Sequence, residues 1–174
     1  QEGKLIHYMG TVTDISDRKK LEIALQDSQK RLCEVLDTAI VGIIRLRFYC
    51  DGRMEYDYIS PHCEQIFGFS RTELRSNPTL WRSRIHPEDW KTVVFPCMEN
   101  VRQCKNNFYS DTIEYRFYHQ DNSIVWILGR CFCLWNELGN YWNVTIVDTD
   151  ISTRKQLELD LKFSEQKLNS ILNS

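Results

Sequence analysis

Long apolar runs and a strong charge of one sign are both missing from this 174-residue sequence. The longest apolar candidate, residues 39–44, ends at Arg45 and is far shorter than the roughly 20 residues that a bilayer-spanning helix needs. The 22 basic residues nearly balance the 24 acidic ones, so there is no bulk electrostatic attraction to nucleic acid or to an anionic membrane. We therefore expect a soluble protein with no nucleic-acid partner and no membrane contact.

Glycine-rich loops and hydrolase motifs are also missing. The nearest two of the seven glycines are Gly3 and Gly10, so no loop of this chain can cradle a nucleotide phosphate with closely spaced glycines. Neither GxSxG nor HExxH occurs. His62 and Cys63 are adjacent, and adjacent helical side chains point about 100° apart, so they do not form a catalytic dyad. We expect no enzyme activity and no catalytic residues.

The seven cysteines form no CxxC pair, and an odd number does not suggest the regular disulfide framework of a small secreted domain. A zinc site needs ligand pairs with about two to four residues between them. The nearest pair, Cys131 and Cys133, lies on one face of a predicted strand, where burial in the core accounts for both thiols. We therefore predict reduced, mostly buried thiols in a cytoplasmic protein, and no metal site.

A short stretch of sequence occurs twice. Asp14–Glu22 (DISDRKKLE) recurs as Asp150–Glu158 (DISTRKQLE), which is typical of a chain built from repeated units. We divide the chain accordingly into the end of a preceding unit (1–16), a connector helix (17–38), one whole unit (39–152) and the start of the next connector (153–174). Because the chain begins with Gln1 and has no leader peptide, we expect it to be part of a longer protein.

Both connectors are predicted to be helices with a coiled-coil seam. Apolar residues recur at alternating spacings of four and three, which is the a/d pattern of a left-handed coiled coil and favours a parallel homodimer. Because the pattern covers only about two heptads, an amphipathic helix packed on its own domain is the alternative. Ser16 and Ser152 are placed to cap these helices. The seam residues are Leu21, Leu25, Leu32 and Val35 in the first connector and Leu157, Leu161 and Leu168 in the second.

Between the connectors the pattern changes to strands and short helices. Strands are predicted at 42–49, 54–59, 110–119, 123–135 and 141–149, and Asp51-Gly52 predicts a hairpin. Three helix starts follow that hairpin: Ser60-Pro61, the capping box Ser70–Glu73, and His86–Asp89, which opens a long helix over 87–104. The predicted fold class is α+β, a five-stranded antiparallel sheet with short helices on one face, flanked by the two connector helices. Since 123–135 is apolar on both faces, we expect a connector or a partner subunit to cover the other face.

This order of elements resembles a PAS domain with its C-terminal PAC motif, over about Asp37 to Lys155. Residues 1–16 then resemble the last strand and PAC end of a preceding PAS unit. The resemblance implies a sensory and dimerisation module, with adjacent PAS and output domains of the same chain as partners. Sensor histidine kinases and diguanylate cyclases commonly contain such modules. The resemblance is carried by Ser60-Pro61, Ile66–Ser70, Glu73-Leu74, Ile85–Trp90, Glu114–Arg116, Trp126 and Asp150–Lys155.

The resemblance also raises the question of a cofactor, because PAS domains often hold a ligand between the sheet and the long helix. The flavin-binding type has Asn-Cys-Arg-Phe where this chain has residues 77–81 (NPTLW). A haem would need a histidine aimed into the cavity, whereas His86 matches a helix-opening position and is interpreted as a cap or a core histidine. The many large aromatics favour a small or closed cavity. No cofactor is predicted, and haem or flavin stays open as the alternative.

The leading functional hypothesis is a relay from the PAS core to the helix that follows it, and on to an output domain outside this chain such as a histidine kinase. Asp150, Ile151, Ser152 and Arg154 form the predicted relay junction, and Asp150 would act as a latch by accepting hydrogen bonds there. A simple helix cap is the alternative role for Asp150. The rival hypotheses for the domain are a sensor of a bound cofactor or metabolite and a passive spacer in a PAS array.

Overall fold

The computed structural model of the chain describes residues 18–20, 22–27, 30 and 40–172, and the chain divides into two compact units after Val35. In the first unit the described residues are helical, and Arg18 pairs with Glu22 one turn later at 3.0 Å. The strand predicted within 1–16 lies outside the described residues, as do the seam residues Leu21, Leu32 and Val35.

The second unit is an antiparallel sheet with helices on one face, which confirms the predicted fold class. The strands lie in the order β2-β1-β5-β4-β3, and every neighbouring pair is antiparallel. The strands are β1 (Gly42–Tyr49), β2 (Met54–Ile59), β3 (Phe108–Tyr118), β4 (Ile124–Asn136) and β5 (Tyr141–Asp150). The helices are α1 (His62–Phe67), α2 (Arg71–Ser76), α3 (Pro78–Ser83), α4 (Pro87–Asp89), a π-helical segment (Trp90–Val94), α5 (Phe95–Gln103) and α6 (Ser152–Leu172).

Local sequence signals act as predicted at three places. Gly52 takes a positive φ of 88° in the β1–β2 turn, where a residue with a side chain would be strained. The Ser70 hydroxyl accepts the Glu73 N–H while the Glu73 carboxylate accepts the Ser70 N–H, which completes the capping box of α2. At the start of α4, the His86 ring accepts the Glu88 N–H at 3.3 Å, so this histidine is a helix cap.

The long helix differs from the prediction because it is not regular. It runs from Pro87 to Gln103, but its middle is a π-helical segment in which the Phe95 N–H bonds back to the Trp90 carbonyl. Pro96 explains this, because it has no N–H to donate to the preceding turn and its ring excludes the carbonyl that an α-helix would place there. The widened turn accommodates the proline without ending the helix.

Two further elements were predicted incompletely. Helix α3 (Pro78–Ser83) was not predicted, although the Asn77 side chain caps it and accepts the Thr79 N–H at 3.2 Å. Helix α1 begins at His62, one residue after the predicted position of Pro61, although the Pro61 backbone angles are already helical. The predicted bounds of β3, β4 and β5 are wrong by one or two residues at their ends, because edge pairing rather than composition decides where a ladder stops.

The two faces of β4 differ in burial. Ile127 and Cys133 are fully buried against the helices, whereas Phe132 and Leu134, on the opposite face, are 45% and 57% exposed. The residues of β4 that face the helices are therefore Val125 and every second residue after it. Among the described residues, the opposite face of β4 is not covered along Phe132 and Leu134, so a connector or partner subunit over this face stays a prediction.

Candidate functional site

A cavity of about 100 Å³ lies between the sheet and the long helix. The sheet contributes Leu46 and Val144 to its wall, and the helix contributes Val94 and Val101. Aliphatic and aromatic side chains together form most of the lining. Tyr115 of β3 is 2% exposed, and its hydroxyl accepts the Trp81 Nε1–H of α3 at 3.3 Å. The cavity therefore contacts the sheet, α3 and the long helix at once.

One carboxyl group lies in the wall of this cavity. Asp148 of β5 is 1% exposed. Burial raises the pKa of the Asp148 carboxyl to about 7, and the neighbouring Cys131 contributes to the same increase. In the register of the sheet, Asp148 lies opposite Gly42 of β1 and Gly129 of β4. Two glycines therefore flank the carboxyl on the inner face of the sheet.

The end of β5 is tied to β4 through the Trp126 backbone. The Ile151 N–H donates to the Trp126 carbonyl at 2.8 Å, and the Trp126 N–H donates to the Ser152 hydroxyl at 3.0 Å. Asp150 accepts the Ser152 N–H at 2.8 Å. The prediction that Ser152 caps its helix is wrong, because its hydroxyl accepts a hydrogen bond from β4 instead and Asp150 takes the helix-start N–H.

Ion pairs hold the first turn of α6 to β3. The Glu114 carboxylate lies 2.6 Å from Lys155 Nζ and also accepts from the Arg154 guanidinium, and these two cations keep the pKa of Glu114 below its usual value. Lys155 Nζ lies 5.1 Å from the centre of the Trp126 ring, within cation–π range. Arg154, one of the predicted junction residues, therefore connects the first turn of α6 to β3 through Glu114.

A second set of ion pairs joins β3 to the start of the long helix. The Arg116 guanidinium lies 2.6 Å from carboxylate oxygens of both Glu88 and Asp89, and 5.6 Å from the centre of the Trp126 ring. The Arg116 side-chain hydrogen bond lowers the pKa of Asp89. His86, Glu88 and Asp89 place potential metal-ligand atoms close together, but the Arg116 guanidinium already pairs with both carboxylates, so the group is a structural ion-pair cluster.

A model of the PAS fold matches residues 56–147, more than half of the chain. The chain belongs to the PAS family. The identification made from the sequence motifs is confirmed, and the PAC motif stays a prediction.

Solved structures of signalling proteins share this fold. A sensory box histidine kinase/response regulator from Burkholderia thailandensis is 26% identical, with a TM-score of 0.58 over 80% of this chain and 98% of that chain. The N-terminal domain of a diguanylate cyclase with a PAS/PAC sensor from Marinobacter aquaeolei is 25% identical, with a TM-score of 0.53 over 65% of this chain and 98% of that chain. The chain is therefore a PAS sensory domain similar to those of histidine kinases and diguanylate cyclases.

A curated relative is an uncharacterized protein of Sinorhizobium fredii, 23% identical over 97% of this chain. The chain spans only 19% of the length of that relative. Within the described part of the chain, no helix combines the length and apolar composition that a bilayer crossing requires.

Haem and flavin do not fit the PAS cavity as it stands. About 100 Å³ is well below the roughly 300 Å³ at which pockets for drug-sized ligands begin. Among the described residues that line the cavity, none is a histidine that could serve as an axial haem ligand, and His86 caps α4 instead. The residues in the position of the flavin-binding element form the start of α3.

The prediction of mostly buried thiols is correct for only half of the described cysteines. Cys63, Cys97 and Cys133 are buried, whereas Cys104 and Cys131 are half-buried and Cys50 is exposed. Cys131 and Cys133 lie on the same inner face of β4, and both line the cavity together with Cys97 of α5. Hydrogen bonds from the Cys133 and Cys97 thiols lower the pKa of Cys131. The six cysteines at positions 50, 63, 97, 104, 131 and 133 are free thiols, and Cys33 lies outside the described residues.

The predicted seam residues that the structure describes are exposed in the single chain. Leu25 is 59% exposed, and Leu157 and Leu161 on α6 are 63% and 62% exposed. The side chain of Leu168 lies outside the described residues. In the alternative, a helix packed on its own domain, Leu157 and Leu161 would be buried against the PAS core. Neither residue is buried there.

Sequence reasoning missed Asp148 and the roles of Glu114, Arg116 and Trp126. The last three were noted only as residues that carry the PAS resemblance. The contacts of Glu114 and Trp126 with α6, and of Arg116 with the start of the long helix, depend on tertiary packing. The sequence does contain a signal for Asp148. It follows Trp142, Val144 and Ile146 at alternate positions of β5, and these three inward-facing residues are all apolar. A charged residue at an inward position of a strand is a candidate for function.

Proposed function

We propose that this PAS domain is a non-catalytic sensory and dimerisation module that passes a change in its core to α6, and through a coiled coil to an output domain outside this chain, such as a histidine kinase. The observation that carries the proposal is the junction between β5 and α6. Asp150 accepts the Ser152 N–H, while Ile151 and Ser152 both bond to the Trp126 backbone. The direction in which α6 leaves the sheet therefore depends on the relative position of β4 and β5.

The route from the cavity to this junction is short. Tyr115 faces the cavity, and its neighbours in β3, Glu114 and Arg116, face the opposite way because side chains alternate along a strand. Glu114 holds the first turn of α6, and Arg116 holds the start of the long helix. A displacement of Tyr115 would move β3 and alter both contacts, which would favour one of two orientations of α6.

The exposed leucines of α6 support the dimerisation part of the proposal. Two large apolar side chains one turn apart, Leu157 and Leu161, would be buried if a second copy of α6 packed along this face. A coiled coil converts a tilt or a shift of register at one end of the helix pair into a change at the other end. This is the property that a relay to a distant output domain needs.

Replacing the latch residue tests the relay. We expect Asp150→Ala in the parent protein to uncouple stimulus from output, because the Ser152 N–H loses its acceptor, while the PAS domain stays folded. Asp160→Ala is the matched control, since this exposed carboxylate lies further along the same helix and bonds only to Gln156 within the described contacts. The measurement is output activity with and without stimulus, together with thermal unfolding of each variant.

Normal regulation in the Asp150→Ala protein would contradict the latch. A passive spacer predicts a different result: deleting the domain in steps that keep the heptad register would leave output regulated. A relay predicts that such a deletion abolishes the response to the stimulus, because the element that biases α6 is gone.

A further inference from the structure

The Asp148 carboxyl is buried in the PAS core without a protein partner for one of its oxygens. Asp148 is 1% exposed, and among the described residues no protein group donates a hydrogen bond to Oδ1. A buried carboxyl group that lacks a donor is strongly unfavourable compared with one in water. Because core positions of this kind are normally apolar, the unfavourable burial of this carboxyl indicates that Asp148 serves a purpose other than folding.

The surrounding residues leave room for this oxygen. A Cβ atom at Gly129 would lie 2.9 Å from Asp148 Oδ1, so a side chain at this position would displace the carboxyl. Gly129 and Asp148 line the same cavity of about 100 Å³. The Tyr115 hydroxyl accepts the Trp81 N–H, and neither it nor the Tyr56 hydroxyl donates to Asp148 Oδ1. Among the described residues, the cavity therefore presents one unpartnered acceptor in a wall that is otherwise mostly aliphatic and aromatic.

We propose that this cavity binds a small, largely apolar molecule with one N–H or O–H group, which donates a hydrogen bond to Asp148 Oδ1. The volume sets the size, because a protein cavity of about 150 Å³ accepts benzene, so about 100 Å³ corresponds to on the order of five non-hydrogen atoms. The aliphatic wall selects the apolar body, and the carboxyl selects the donor. A haem or a flavin is far too large for this site.

Ordered water is the competing occupant of this site. A buried water molecule forms about three hydrogen bonds, and its candidate partners here are Asp148 Oδ1 and the hydroxyls of Tyr56 and Tyr115. The rest of the wall is mainly apolar, with side chains such as Leu46 and Val94. A molecule with an apolar body contacts those side chains and still satisfies the oxygen. The class of ligand is inferred from the cavity alone. Only the effect of ligand binding on α6 rests on the function proposed above.

The matched probes pyrrole and furan test the inference on the full 174-residue chain. They are five-membered rings of nearly equal size, and only pyrrole has an N–H donor. We expect calorimetry or ligand-detected NMR to show pyrrole binding at least about tenfold more tightly than furan, which is the effect of one hydrogen bond to a charged acceptor. Asp148→Asn should remove this preference, and Asp51→Asn, at the exposed β1–β2 turn, should keep it.

A second measurement covers the case in which Asp148→Asn fails to fold. Pyrrole binding to the unchanged chain should strengthen as pH rises from 6 to 8, because the ionised carboxyl accepts the hydrogen bond better, while furan binding should not change. The titratable groups facing Asp148 are Tyr56 of β2, Cys63 of α1, Tyr115 of β3 and Cys131 of β4. Cys131→Ser should keep a pH dependence but move its midpoint to lower pH, because Cys131 contributes to the raised pKa of Asp148.

Three results would overturn the inference: equal affinity for the two probes, an unchanged preference in a folded Asp148→Asn variant, or binding of neither probe, which would leave water as the occupant. Failure of the relay would look different. Pyrrole would then bind with the expected preference but leave output of the parent protein unchanged, and the ligand class would stand while the proposed function would not.

Discussion

Asp148→Asn should change how the stability of this domain depends on pH. The substitution keeps the shape of the side chain and removes its ionisation. In the folded chain, burial together with the neighbouring Cys131 raises the pKa of Asp148 to about 7, whereas an aspartate in an unfolded chain has a pKa of about 3.9. The folded state therefore holds the proton at pH values where the unfolded state has released it.

The sign follows from this difference in bound protons. Between pH 4 and pH 7 the folded chain binds more protons than the unfolded chain, so stability falls as pH rises through this window and changes little above it. At 1.36 kcal/mol for each pKa unit, the contribution of Asp148 to the free energy of unfolding falls by about 4 kcal/mol in total. About 2.5 kcal/mol of that loss lies between pH 5 and pH 8. The asparagine variant lacks this contribution.

Urea denaturation at pH 5, 6, 7 and 8 measures the effect. We expect the free energy of unfolding of Asp148→Asn, relative to that of the unchanged chain, to increase by about 2.5 kcal/mol from pH 5 to pH 8. Asp51→Asn is the control, because the Asp51 carboxylate lies at an exposed turn. The difference between the free energies of unfolding of this variant and of the unchanged chain should stay nearly constant across these pH values. Parallel curves for Asp148→Asn and the unchanged chain would refute the reasoning, since they would show that Asp148 is as ionised in the folded state as in the unfolded state.

Two further predictions concern the ends and the faces of helices. Ser70→Ala should lower the free energy of unfolding by about 1 kcal/mol in urea denaturation, because the α2 capping box is lost, whereas Ser76→Ala at the other end of α2 should change it by less than about 0.5 kcal/mol. Leu161→Lys should convert the proposed dimer to a monomer in light scattering, whereas Leu159→Lys, on an equally exposed leucine outside the seam, should leave it dimeric.

The outcomes that contradict these two predictions are specific. Equal losses for Ser70→Ala and Ser76→Ala would show that the hydroxyl, rather than the capping geometry, accounts for the effect. A monomeric unchanged chain, or equal dissociation by lysine at 161 and at 159, would show that the heptad spacing of α6 does not define the interface.

Much of the fold was predictable because its signals are local. The β1–β2 hairpin needs a residue that tolerates positive φ, and Gly52 supplies it. The starts of α2 and α4 depend on side chains within three residues of the helix end, so Ser70 and His86 identify them. The π-helical segment was missed although its cause is local, because Pro96 was not weighed against the helix that contains it.

The candidate site was harder to predict because its members are distant in sequence. Ser152 was expected to cap its own helix, which is the usual local role of a serine there, but pairing between β4 and β5 brings the Trp126 N–H to its hydroxyl. Glu114 meets Lys155 for the same reason. No periodicity in the sequence reports which strands become neighbours.

The amino-acid sequence was sufficient for the family, the number of strands and the two copies of the motif that begins at Asp14 and at Asp150, since these depend on residues a few positions apart. The tertiary structure decided what surrounds Asp148. Only the order β2-β1-β5-β4-β3 places Gly42 and Gly129 on either side of that carboxyl and a cavity beside it. The physical reason is that burial and the lack of a hydrogen-bond donor are properties of neighbours in space, whereas alternation along a strand reports only which way a side chain points.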